Sequence, residues 1–244
     1  MSVEVLTPEP GFAISRVESR RIADELDRQV ASIWASETVR RPGEVFDGLI
    51  CSVAEATPAS IEVFETRYRY FLAQRRDPEL RSLLDIRPLA VSGVLICQDG
   101  LVLGRRSGTV EQDRGLWELV PAGVLDPSRR NPVGRPDPVA QLMDELHEEI
   151  GLSAHHILLP PQLLAIVVDH DDGVIDLTYC LRTPATADEI AAFVDLHPRE
   201  HDEIRVVPLH VFLDELERGS LSLSDAGLAI AVAARRAGLF DAGH

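Results

Sequence analysis

Residues 144–152 read "DELHEEIGL", placing Glu145, Glu148 and Glu149 within five positions just ahead of Gly151. Upstream, Val139, Leu142, Met143, Leu146 and Ile150 recur at helical spacing. On a wheel of about 100° per residue these apolar side chains lie within about 60° of Val139. The glutamates fall at roughly 180°, 240° and 280°, on one side of the same helix. Spacing i, i+3, i+4 lets three carboxylates converge, at a cost of a few tenths of a kcal/mol per like-charged pair. No basic residue answers them: Gly151, Leu152 and Ser153 follow. Acids this late in a helix also oppose its dipole. A divalent cation would reverse that cost, and hard oxygen donors suit Mg²⁺, with Mn²⁺ as a substitute, better than zinc. Charge and spacing alone leave a solvated acidic face equally open.

Around this helix the pattern is a mixed one. "LAVSGVLICQDGLVLGRRS" (89–107) is a hairpin around a Gln-Asp-Gly turn. "GLWELVPAGVLDP" (115–127) is a strand entering a turn, and "SRRNPVGRPDP" (128–138) is an aperiodic loop before the helix. "QLLAIVVDHDDGVIDLTYCLRT" (162–183) reads as a second hairpin with an acidic tip. Helices are expected over 185–196 and from Leu209, and a last one follows a Ser or Asp cap near 224. Hairpins and helices together predict an α/β fold, with helices covering both faces of a mixed sheet. Residues 1–86 read as an N-terminal α+β extension, with an amphipathic helix over 15–36 and strands over 44–67. Residues 87–244 read as the principal domain.

In this context the chain resembles the Nudix hydrolase superfamily over roughly residues 89 to 215. The residues that carry the resemblance are Gly123 after "VPA" and Glu145-Leu146-His147-Glu148-Glu149-Ile150-Gly151-Leu152. It implies a Nudix-type α/β/α sandwich and a metal set of Glu145, Glu148, Glu149 and the Ala122 carbonyl, where Ala122 takes the place of the family's first glycine. It further implies a catalytic acid from a loop before a late strand, with Glu203 as first choice and Glu200 as second. Glu145, Glu149 and Glu203 are then the catalytic candidates. Asp144 stands where the signature has arginine, and the span from Gly123 to Asp144 is 21 positions, about seven more than the pattern allows. The early glutamate that pairs with that arginine in the family has no clear counterpart; Asp137 is the nearest acid.

A weaker resemblance, "VFDGLICSV", "TRYRYFLAQ", "LVLGRRS" and "GLWELVPAG" in that order, is to the UDP-sugar diphosphatase branch, which implies a nucleotide sugar such as UDP-glucose as substrate. Arg67, Tyr68, Arg105 and Arg106 are candidates for substrate binding, because the guanidinium fork matches phosphate. For each, a solvated surface role is the plainer alternative. His197 and His201 stand at i, i+4, but Pro198 and the lack of a third ligand argue against zinc.

A net charge of −16 argues against nucleic acid as partner, because phosphate-backbone binding needs a basic footprint. No stretch approaches the roughly 20 apolar residues of a membrane span, and no signal peptide is visible. The three cysteines, Cys51, Cys97 and Cys180, are widely spaced and read as reduced thiols of a cytoplasmic protein. All 24 basic residues are arginine. The expected partner is a small nucleoside diphosphate derivative. The extension serves either as a cap on the site or as a homodimer element, and the sequence leaves both open. The rival reading is a Nudix-fold module that binds a nucleotide-like ligand without cleaving it.

Overall fold

The computed structural model describes residues 3–108, 113–195 and 201–240. The chain opens with strands β1 (Val3–Leu6) and β2 (Ala13–Arg16), then helix α1 (Asp24–Arg40). The helix expected from residue 15 starts later because Ser15 and Arg16 are spent in β2, and the Val17 N–H bonds the Val63 carbonyl. Its first turn holds Asp24, Glu25 and Asp27, acids suited to a helix N-terminus. Strands β3 (Leu49–Ala56) and β4 (Ser60–Arg67) then pair with β2 in a small sheet of order β2-β4-β3. Helices α2 (Tyr68–Arg76) and α3 (Arg81–Leu84) complete this part. Val30, Phe64, Phe71, Leu80 and Leu84 form its core, with Val17, Ile22, Leu26 and Ile33 packed on it.

Next come β5 (Leu89–Cys97), β6 (Gly100–Arg106), β7 (Trp117–Leu119), β8 (Ala122–Val124) and α4 (Pro138–Glu145). They are followed by β9 (Gln162–Asp169), β10 (Ile175–Arg182), α5 (Ala187–Asp195), β11 (His201–Val207), α6 (Leu209–Arg218) and α7 (Asp225–Arg236). The larger sheet has eight strands in the order β1-β9-β10-β5-β6-β11, with β7 on β6 and β8 on β5. Strands β10 and β5 run parallel and the other pairs antiparallel, so the sheet is mixed as expected. One face packs Val91, Val102 and Leu177 against Leu142, Leu146 and Ile150 of the glutamate segment and Ile190 of α5. The other packs Val94, Leu103 and Val167 against Phe212 of α6 and Ile230 and Ala234 of α7. The architecture is thus helices on both faces of a mixed sheet, joined to a smaller α+β layer.

Strand β1 had no sequence expectation attached to it, yet it pairs with β9 at the edge of the large sheet. The stretch read as a single strand at 115–127 is two short ones, β7 and β8, each on a different neighbour. Cys51, Cys97 and Cys180 are free and buried. No helix among the described residues is long and apolar enough to cross a membrane.

Candidate functional site

Helix α4 starts with Asp137 as its cap: the carboxylate accepts the Ala140 N–H at 3.0 Å, and Pro138 occupies the first turn, where its missing N–H costs nothing. Asp137 is therefore a helix cap and does not stand in for the absent glutamate. After Glu145 the backbone widens into a single π turn, Leu146–Ile150, closed by Gly151 at φ 82°. An i→i+5 turn rotates successive side chains less than the regular wheel assumes. Its consequence is visible in burial: Glu149 is 4% exposed, while His147 and Glu148 face solvent. The uniform wheel put all three acids on one open side; the π turn carries Glu149 inward and leaves Glu148 out.

Two of the acids meet strand β8. Glu149 Oε1 accepts the Ala122 N–H at 2.9 Å. Glu145 presses on Gly123 so closely that a Cβ there would lie 1.9 Å from Oε1. Glycine at 123 is thus required by the carboxylate above it. Glu145 Oε1 also accepts the Gln141 side-chain N–H at 2.7 Å, and Gln141 Oε1 accepts the Asp126 N–H at 3.0 Å. Beside them Arg129 Nε stands 2.7 Å from Asp144 Oδ2. This ion pair ties the long loop, which supplies the arginine, to the helix position just before Glu145.

The donor set, carboxylate oxygens gathered on one turn, is the chemistry a hard divalent cation takes. Gly123 provides the cradle that lets one of these carboxylates sit on the strand. Among the described residues no three His, Cys, Asp or Glu side chains stand close enough to cage an ion. The chain therefore brings Glu145 and Glu149 together on β8 and leaves Glu148 exposed beside them.

Glu203 is not brought to this cluster. It lies within β11 instead of a loop, opposite Arg105 in register, and the two side chains pair at 3.2 Å. Arg105 lies over the Trp117 ring, which packs with the α7-side core, so this pair occupies the sheet face away from α4. Arg106 instead bonds Glu118 at 2.7 Å. Arg67 ends β4 and Tyr68 opens α2: the Arg67 guanidinium reaches Asp47, and the Tyr68 ring packs on the N-terminal core. Glu200, His197 and Pro198 lie outside the described residues.

Several residues carry site chemistry that sequence reasoning passed over. Glu118 accepts from Arg106 and meets His201 Nε2 at 2.6 Å, and the imidazole lies against Gly104, where any Cβ would strike it. Burial alone would raise Glu118, but the His201 and Arg106 contacts outweigh it and hold the carboxyl below its usual range. Asp176 on β10 is 8% exposed and bonds the Ser92 hydroxyl at 2.6 Å and that of Thr178 at 3.2 Å. Burial pushes it up to about 6. A cavity of about 280 Å³ opens between these strands and the start of α7, with Ser92, Glu118, Ala122, Asp176 and Ser224 in its wall. Ala122 thus faces the cavity and also bonds Glu149. The acidic tip of the second hairpin is folded rather than free: Asp169 accepts the N–H groups of Asp171 and Asp172, and Arg81 bonds the His170 carbonyl.

No family model matches the chain, and no curated protein does. Solved structures do. The MutT protein from Methanosarcina mazei Go1 is 19% identical over 62% of this chain and 95% of its own, with a TM-score of 0.46. The NUDIX domain of Shewanella oneidensis NrtR, solved as a complex with ADP ribose, is 16% identical over 66% of this chain and 97% of its own, at 0.45. A bifunctional NMN adenylyltransferase/ADP ribose pyrophosphatase from Francisella tularensis is 12% identical over 69% of this chain and 46% of its own, at 0.47.

Proposed function

We propose that this chain is a Nudix-type, metal-dependent hydrolase that cleaves the diphosphate linkage of a nucleoside diphosphate derivative. The observation that carries the reading is the pairing of two carboxylates with one strand: Glu149, buried and bonded by the Ala122 N–H, beside Glu145, seated on Gly123. Glu145 and Glu149, with the Ala122 carbonyl, would hold Mg²⁺ with water completing its shell, and Mn²⁺ would substitute for it; Glu148, the third acid of the expected set, stays exposed beside them and would join only by turning its side chain inward. Such an ion neutralises phosphate oxygens and lowers the barrier to attack at phosphorus.

The rest falls to the chain. Glu149 is fixed by its strand contact, so its orientation needs no reorganisation when substrate binds. Glu145 takes the proton of the attacking water at its carboxylate. The water oxygen bonds to phosphorus as the bridging P–O bond breaks, and a nucleoside monophosphate and a sugar phosphate leave. Glu203, held by Arg105 on the opposite sheet face, has no part in this scheme. The cavity beside Ala122 takes the part of the substrate without phosphate, because its acidic wall suits hydroxyl and amino donors and repels phosphate. A nucleotide sugar such as UDP-glucose is the substrate class we favour. Residues 13–86 form the layer that caps this domain or pairs two copies of it, while β1 belongs to the large sheet.

The test is a product assay with Mg²⁺ on a panel of UDP-sugars, ADP-ribose and dinucleotides, with Glu149→Gln as control. We expect phosphate-containing products from the wild type and a loss of about a thousandfold or more in the variant, with its melting curve unchanged. Full turnover by Glu149→Gln would sink the assignment. Calorimetric binding of a panel member without products would favour the non-cleaving module.

A further inference from the structure

Gln141 is 8% exposed, and both ends of its side chain are engaged. Its Oε1 takes the Asp126 backbone N–H at 3.0 Å, and its Nε2 donates to Glu145 Oε1 at 2.7 Å. Asp126 opens the long loop: its own carboxylate caps the Ser128 N–H, and its carbonyl accepts the Arg129 N–H. Three residues on, Arg129 pairs with Asp144, the neighbour of Glu145. The loop is therefore tied twice to the last turn of α4, once through a buried amide and once through an ion pair at the surface. A buried amide cannot rotate freely without losing one of these bonds, and leaving a buried polar group unpaired is costly. A loop shift at Asp126 would thus turn the Gln141 amide and release the Glu145 carboxylate.

From this we infer that Gln141 is a positioning residue: its amide fixes the Glu145 carboxylate against Gly123 and transmits the conformation of the loop after β8 to it. This inference rests on the reading of Glu145 as a metal-holding carboxylate. A neutral amide suits the task. It donates to the carboxylate without cancelling the charge a cation needs, whereas an arginine or lysine at 141 would compete with the cation.

The experiment uses the full chain and Mn²⁺ as probe. Gln141→Met keeps the volume and removes both hydrogen bonds. Expected are a roughly tenfold weaker Mn²⁺ affinity by electron paramagnetic resonance titration, a comparable fall in kcat, and an unchanged KM for substrate. Glu145→Gln is titrated alongside. If Glu145→Gln loses Mn²⁺ and Gln141→Met binds it as the wild type does, the inference is overturned and the metal reading stands. If Glu145→Gln binds Mn²⁺ as the wild type does, the metal reading itself fails. A second measurement requires no variant at Gln141. In the wild-type NMR spectrum a side-chain amide of glutamine, slow to exchange with water, should shift on adding Mg²⁺ and stay still in Glu145→Gln. Absence of any such amide overturns the inference as well.

Discussion

Arg129 and Asp144 meet at 2.7 Å across the gap between the long loop and the helix. The pair sits one residue from Glu145, and both partners are partly exposed, so its direct contribution to stability is about 0.2–1 kcal/mol. Its larger effect is on position. Asp144→Arg sets two guanidinium groups against each other and should lower kcat/KM by about three- to tenfold. Adding Arg129→Asp should recover most of that loss. A double-mutant cycle checks it, and strict additivity would show that the two residues do not act together.

Gly123→Ala puts a methyl group where Glu145 Oε1 now lies. The carboxylate is the flexible party, so the fold should survive and Tm should move by no more than a few degrees. Catalysis should fall by about a hundredfold, the scale of a misplacement of roughly 1 Å at a reacting group. Steady-state kinetics beside a melting curve separates the two effects.

Asp176 is held up to about 6 by burial, against 3.8 for the ordinary carboxyl. A raised acid gives stability that is present below pH 3.8 and lost as pH rises to about 6. Replacing it with asparagine removes the charge that burial penalises. Asp176→Asn should match the wild type near pH 4 and exceed it by up to about 3 kcal/mol above pH 6. Urea midpoints across that range provide the check; a constant difference at every pH would contradict it.

Glu37 behaves in the opposite sense. Arg40 foremost, with Arg76, holds its carboxyl down at about 2 while burial opposes them. Its contribution is present above pH 4.5 and lost as the pH falls through 2. Glu37→Gln should cost about 1 kcal/mol at pH 7 once screening at the exposed arginines is allowed for. The two melting curves should converge between pH 4.5 and pH 2.

Much of this site is legible in the residues themselves. Leu142, Leu146 and Ile150 of the stripe are buried and Val139 packs half-buried beside them, as their spacing predicts, because helical periodicity is a local property. Ser224 caps α7 through the Gly227 N–H, a role its residue type announces. Gln141 stands four residues before Glu145, the spacing at which helical side chains meet, but its second contact comes from a loop that no periodicity describes. Other features are set by tertiary structure. A π turn has no residue signature, so the uniform wheel misplaced Glu148 and Glu149 relative to each other. The face taken by Glu203 depends on an irregularity in register between His201 and Glu203. Asp176 looks like one more hairpin acid until the parallel pairing of β10 with β5 brings Ser92 beside it.

Strand β1 has a practical meaning for anyone handling this protein. Val3–Leu6 covers one margin of β9, whose backbone N–H and C=O groups would otherwise lie open. Trimming the first eight residues would uncover that margin and strip Val3 and Val5 from the apolar surface beneath α7. Such a shortened chain should be sticky, joining others edge to edge through the bared strand, even with Glu145 and Glu149 still seated on β8. A bulky tag fused directly ahead of Val3 invites the same trouble.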